Sequence, residues 1–266
     1  FFQADDGIRD FCLSRGLGDV YKRQVQELDG HGLKMPVVVK PADSNSSKGV
    51  RIAENESELV SFAEYALQIS RSGQVVVEEF VSGTEIGIDC YVYEHETKVL
   101  ITKERRKFRE GDWGVQQIYG CVWPALPEIS DQEGIAEVAN RISEGFGLKN
   151  TPLMIQAIVT DEGVSVIEFA PRIGGGESFR IIKKLTGFDY VDAAVDSFLG
   201  HIPDQAANEP FEIYSDNFIY SDPCPVGNIS GYQELLEDGT IEYIDCYREP
   251  GTVIGAELSS LSLIHI

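Results

Sequence analysis

Apolar positions along this chain change period several times. Met35 to Lys40 (MPVVVK) is a short continuous apolar run, rich in β-branched residues and bounded by Pro36 and Pro41, which predicts a buried strand. Small polar residues follow from Ala42 to Gly49, and Val50-Arg51-Ile52 predicts a second strand. Asn55 precedes Glu58 by three residues, and Leu59, Phe62, Ala63, Ala66 and Leu67 recur at helical spacing. That pattern predicts a capped helix, with the unit closed near Gly73. Val75 to Phe80 (VVVEEF) then predicts a third strand.

Beyond Gly83 the period changes to two. Ile86, Ile88, Cys90 and Val92 alternate with other residues, as do those of Val99 to Thr102, and both segments are expected in an open sheet. Asp131 to Gly145 predicts a helix. Leu153 to Thr160 and Val164 to Phe169 predict a hairpin turning at Asp161-Glu162-Gly163. Ser178 to Leu185 and Tyr190 to Leu199 predict helices separated by Thr186-Gly187, and from about 201 onward the expectation is short strands with Pro and Gly punctuation. Strands and helices in this order predict an α+β fold. No repeat or low-complexity linker interrupts it.

The two ends stand apart. Asp19 to Gln24 back-translates to GAT GTG TAT AAG AGA CAG, and Leu261 to Ile266 to CTG TCT CTT ATA CAC ATC. These strings are reverse complements, and they resemble the mosaic end of a transposase-type sequencing adapter read from both sides. Residues 1–24 and 261–266 are therefore expected to be translated adapter that stays off the fold, with the encoded protein at 25–260 and cut at both ends. Within it the expected division is 25–81, 82–200, and a β-rich segment at 201–260.

Charge narrows the function classes. The net charge of −22 survives removal of residues 1–24, which carry four basic and four acidic side chains. A surface this acidic repels a phosphate backbone, so nucleic acid is not an expected partner. No apolar run approaches the roughly 18 residues of a membrane span. Cys90, Cys121, Cys224 and Cys246 show no CxxC spacing and no partnered histidine, so the reading is a reduced, cytoplasmic protein without zinc. A homo-oligomer is compatible with this composition.

Three segments carry candidate chemistry. In the first loop, Ser46, Ser47 and Gly49 are small enough to bring backbone N–H groups to a phosphate, and Lys40 on the preceding strand can reach it. There is no Walker GxxxxGK[ST] and no kinase HRD or DFG triplet. The second segment, Glu78 to Glu85, ends a strand on acids and then reaches Gly83. Backbone from Glu79 through Phe80 to Val81 could pair with an adenine edge, while Glu85 could accept from ribose hydroxyls. In the third, Gln156 lies twelve residues before Glu168 on a predicted hairpin, where both side chains could share Mg²⁺ or Mn²⁺. Arg172 and Gly174-Gly175-Gly176 follow, a guanidinium beside a glycine nest suited to a phosphoryl or carboxylate group. Taken singly, each also reads as ordinary surface: a serine-rich turn, an exposed strand end, a flexible glycine turn.

Taken in order, PVVVKP–SNSSKG, VVVEEFVSGTE and MIQAIVTDEGVSVIEFAPRIGGG closely resemble the ATP-grasp superfamily, over roughly residues 34 to 200. The resemblance implies an ATP-grasp fold of two α+β lobes with ATP between them. It assigns Lys40 and the 43–49 loop to phosphates, Glu78 and the backbone at 79–81 to adenine, and Glu85 to ribose. Gln156 and Glu168 would take the metal ions, and Arg172 the γ-phosphate or an acyl phosphate. Lys103 is a further candidate phosphate contact, with a solvated basic strand end as the alternative.

The implied activity is a ligase that activates a small-molecule carboxylate for attack by an amine. A carbamoyl-phosphate-synthetase-like or biotin-carboxylase-like subunit, or a nucleotide-binding module without turnover, are the alternatives. The chain departs from the Glu-x-Asn-x-Arg pattern at Ala170, and Gln156 stands where an acid is common. Those departures put one metal site in doubt.

Overall fold

The computed structural model describes residues 11–14, 33–44, 47–94, 96–108, 118–125, 132–204, 206–210, 212–219, 224–246, 248–253 and 264–265. They fall into two compact units, one drawn from Phe1–Val81, Lys107–Gln117 and Phe218–Ile266, the other from Ser82–Arg106 and Ile118–Asn217.

The first unit is an antiparallel sheet covered by one helix. Its strands are β1 (Phe11–Ser14), β2 (Val37–Pro41), β3 (Arg51–Ala53) and β4 (Gln74–Glu79), in the order β1-β4-β2-β3. Helix α1 (Glu56–Ile69) begins where Asn55 predicts: the Asn55 side chain accepts from the Glu58 N–H at 3.0 Å, satisfying one of the unpaired donors of the first turn. Glu58 in turn accepts from the Glu54 N–H at 2.9 Å, one residue earlier than a reciprocal capping box would have it. Leu59, Ala63, Ala66 and Leu67 form the buried stripe of α1 and pack on Val37, Val39, Ala53, Val75 and Val77 of the sheet.

Both chain ends, expected not to pack into the fold, contribute a few residues of paired backbone. The backbone of β1 pairs with β4 from Phe11↔Val77 to Ser14↔Gln74. Ile264–His265 (β12) pairs with Phe218 and Ile219 and with Asp245–Cys246 (β11). An uncovered edge strand offers a row of unpaired N–H and C=O groups to any extended backbone, whatever its side chains. The rest of 1–24 and 261–266 lies outside the described residues. Between 201 and 260, where short strands are expected, the chain also forms a helix, Tyr232–Glu237, with no buried residue.

The second unit is built on β5 (Thr84–Val92), β6 (Thr97–Lys107), β7 (Ile118–Trp123), β8 (Thr151–Thr160) and β9 (Gly163–Ala170), with Tyr214–Asn217 of β10 (Tyr214–Ile219) added at the edge. The order is β10-β7-β6-β5-β8-β9. Helices α2 (Gln132–Phe146), α3 (Ser178–Thr186) and α4 (Tyr190–Leu199) accompany it. Alternation puts Ile86, Ile88, Cys90, Leu153, Ile155 and Ala157 on one face, where they pack with Ile135 and Ala139 of α2. Alternation alone suggests a half-exposed β5, yet Ile86 to Val92 are buried throughout. The second face of the sheet is therefore also covered, and it carries the polar side chains described next. Among the described residues, no helix is long and apolar enough to cross a membrane.

Candidate functional site

In the first unit, Lys40 and Glu78 meet. Val38 is in register with Glu78, and Lys40 lies two residues further along the same face, so its Nζ reaches Glu78 Oε1 at 2.6 Å. Both side chains are about one-fifth exposed, 22% and 21%, so the pair is partly desolvated and accessible from one side. The loop between β2 and β3 is anchored at both ends. Asp43 accepts from Ser70 Oγ at 2.8 Å, from the Arg71 N–H at 3.1 Å and from the Ser72 N–H at 2.7 Å, which holds its carboxyl below the usual range. At the far end Gly49 has φ +82°, and a Cβ there would lie 2.8 Å from both Ile69 Cδ1 and Pro41 Cγ, so no other residue fits without displacing them. Ser47 takes φ 55° within the turn, and Ser46 lies outside the described residues. Glu79 pairs with Val37, and the Phe80 N–H donates to the Pro36 carbonyl at 3.2 Å. That N–H is thus spent on the protein, while Val81 continues beyond the strand.

In the second unit, register builds a row across four strands: Lys103 opposite Gly87, Gly87 opposite Gln156, Gln156 opposite Glu168. Directly opposed residues share a face, so Lys103, Gln156 and Glu168 stand on the side away from the apolar core. A bulge between Gln156 and Ala157 lets Glu168 face Gln156. Glu85 and Asp89 flank Gly87 on the same face, and Arg105 flanks Lys103.

Two clusters form on this face. Around Gln156, the Arg105 guanidinium lies 2.7 Å by Nε from Glu85 Oε1. The Gln156 amide satisfies both neighbours when its oxygen accepts from Arg105 Nη1 and its nitrogen donates to Glu168 Oε1 at 3.2 Å. Glu168 is exposed. In the other direction, the Lys103 side chain lies flat over Gly87, where an added Cβ would come within 2.6 Å of Lys103 Cε. Lys103 Nζ donates to Ser178 Oγ and lies 3.4 Å from Asp89 Oδ2 and 6.0 Å from the Trp123 ring centroid. Asp89 is 1% exposed, Lys103 8%, Ser178 1% and Asp216 3%. Burial pushes the Asp216 carboxyl up to about 6 against the Cys121 N–H that it accepts at 2.6 Å.

Arg172 follows β9, exposed, with Nη1 donating to the Ile173 carbonyl at 2.8 Å. At Gly174 a Cβ would lie 2.8 Å from Asp89 Oδ1, whereas Cβ atoms at Gly175 and Gly176 would meet nothing within 4 Å. The glycine run thus packs the sheet at its first position and opens space at the next two, just before α3 begins.

A family model described as the ATP-grasp domain matches residues 33–179, more than half of the chain. The chain belongs to the ATP-grasp family. Phosphoribosylamine–glycine ligase of Streptococcus pyogenes is 28% identical over 181 residues, covering 63% of this chain and 42% of the relative. The chain spans about half the length of the curated relatives it matches. An L-amino acid ligase from Bacillus licheniformis superposes with TM-score 0.72 at 17% identity, over 93% of this chain and 66% of that one. The biotin carboxylase domain of a Hydrogenobacter thermophilus 2-oxoglutarate carboxylase, solved with MgADP and bicarbonate, gives 0.66 at 15% identity, over 90% and 54%. At such identities the likeness is one of fold.

Within this ATP-grasp fold, Gln156 and Glu168 are brought together and Lys40 is joined to Glu78. Lys103 is committed to Asp89 and Ser178, and Arg172 to its own loop. Sequence reasoning missed Arg105, Asp89 and Ser178, and took Asp43 only as the first residue of the 43–49 loop. Arg105 carried a signal, since it sits two residues from Lys103 and so on the same face of one strand.

Proposed function

We propose that this chain binds ATP with Mg²⁺ and, in its complete form, activates a small-molecule carboxylate as an acyl phosphate that an amine then attacks. The observation that carries this reading is the polar row on β6-β5-β8-β9, with Glu85, Arg105, Gln156 and Glu168 in contact on the face opposite the apolar core.

The residues fit the group. Gln156 and Glu168 face each other across β8 and β9, two oxygen-bearing side chains that would suit an ion taking its remaining ligands from phosphates and water, as Mg²⁺ does in phosphoryl-transfer sites. Bound Mg²⁺ would neutralise charge between the phosphates. Lys40 supplies a point charge for phosphate oxygens, Glu85 an acceptor for a ribose hydroxyl, and Glu78 with the backbone near Val81 the adenine contacts. Arg172 and the open backbone at Gly175 and Gly176 suit the transferred phosphoryl group.

Binding of an ATP analogue should be saturable and Mg²⁺-dependent by calorimetry, and ADP release by the complete protein should require both a carboxylate and an amine. A second reading, nucleotide binding without turnover, draws on neutral Gln156 and on Ala170. Substrate-independent binding with no ADP release under any pairing would favour it.

A further inference from the structure

A carboxamide shows an acceptor on one edge and a donor on the other, and at Gln156 the two neighbours fix which edge goes where. Arg105 can only donate and the Glu168 carboxylate can only accept, so the amide is assigned with its oxygen toward Arg105 Nη1 and its nitrogen toward Glu168 Oε1 at 3.2 Å. The atom that a divalent ion needs from Gln156 is therefore spent on a guanidinium, and the edge turned toward Glu168 is a donor that an ion cannot use. Arg105 is held in turn by Glu85 at 2.7 Å, with side chains only 19% and 10% exposed. A cation approaching this pair meets a fixed positive charge under weak screening.

We propose that Arg105 keeps the Gln156–Glu168 pair closed to divalent ions until nucleotide phosphates draw its guanidinium away, so that nucleotide loads before metal. This rests on the ATP reading given above. A guanidinium fork matches phosphate oxygens better than it matches a single amide oxygen. Once it leaves, the Gln156 amide can turn about a terminal torsion that is broad and roughly two-fold. The oxygen then joins Glu168 on the same side.

The test uses the full chain and Mn²⁺ as probe, followed by electron paramagnetic resonance of the free ion. Without nucleotide, Arg105→Met should bind Mn²⁺ about tenfold more tightly than the parent, since the opposing charge is gone. Arg105→Lys, which keeps a charge, should stay with the parent. Adding Glu168→Ala to Arg105→Met should cancel the gain. No gain in Arg105→Met, or a gain that survives Glu168→Ala, overturns the proposal. Should Arg105→Met fail to fold by circular dichroism, the parent alone decides: equal Mn²⁺ affinity with and without a non-hydrolysable ATP analogue overturns it. Calorimetry of the analogue separates the two readings. Analogue binding without the Arg105→Met gain sinks only the gate, whereas no analogue binding sinks the ATP reading and the gate with it.

Discussion

Lys40 Nζ and Glu78 Oε1 lie 2.6 Å apart on neighbouring strands of the first unit. On the proposed reading the two residues serve opposite ends of a nucleotide, and the acid would then hold the lysine in place before a phosphate arrives. Lys40→Met should weaken binding of an ATP analogue by about tenfold or more, given roughly 1.5–3 kcal/mol for a charge-assisted bond. Adenosine, lacking phosphates, should bind parent and variant alike. Equal calorimetric affinity of the analogue for both would remove Lys40 from the site.

Asp216 should make stability depend on pH in an unusual direction. Burial, reinforced by nearby Glu177, lifts its carboxyl from 3.8 to about 6, while the Cys121 N–H and Lys103 partly offset the rise. The native carboxyl thus keeps its proton to about pH 6, and the unfolded one releases it near 3.8. Between those values the native state binds more protons, so this group's contribution falls as pH rises through the window and then levels off. Asp216→Asn keeps an acceptor for Cys121 and removes the titration. Its stability relative to the parent should rise by about 2 kcal/mol from roughly pH 4 to pH 7. Urea midpoints at the two pH values measure this, and parallel curves would contradict it.

Gly87 and Lys103 should be energetically coupled. A Cβ at Gly87 would sit 2.6 Å from Lys103 Cε and 3.0 Å from its Cγ, so Gly87→Ala forces a buried side chain to move, at a cost of about 1–3 kcal/mol. In a Lys103→Ala background that clash is absent. The double-mutant cycle should therefore return a coupling of about 0.5–3 kcal/mol. Additive losses would mean that Lys103 does not depend on the gap at Gly87.

The local signals were legible and the cross-strand ones were not. Asn55, the Leu59-Ala63-Ala66 stripe and the 161–163 turn each act within a few residues, so the sequence predicts α1 and the β8–β9 hairpin nearly to their ends. Gln156 and Glu168 were readable because a hairpin fixes its own register. Arg105 meeting Glu85 and Gln156, and Lys103 meeting Asp89 and Ser178, depend on how β6, β5 and β8 align and on where α3 begins. No local pattern encodes that alignment. Asp43 is a similar case: it reads as one more polar loop residue until the end of α1 is placed beside it.

Glu168 should dominate metal binding, and Ala170 should mark a gap that can be filled. The two residues are one alternation apart on β9, and their partners on β8, Gln156 and Met154, are likewise two apart. The bulge falls on the other side, between Gln156 and Ala157, so it does not disturb their common face. Gln156 is neutral, which leaves Glu168 as the formal charge that the β8–β9 pair can offer an ion. Glu168→Ala should therefore abolish the Mg²⁺ dependence of nucleotide binding while leaving the fold intact, because the side chain is exposed. Ala170→Asn adds a neutral oxygen beside it. That should lower the Mg²⁺ concentration for half-maximal binding by about fivefold, the worth of one neutral ligand bond near 1 kcal/mol. Mg²⁺ titrations of analogue affinity on the parent and both variants measure the two effects together. A Glu168→Ala curve that overlays the parent would put the metal elsewhere and take Gln156 with it. No shift in Ala170→Asn alone would mean that water already fills the position, with Glu168 keeping its role.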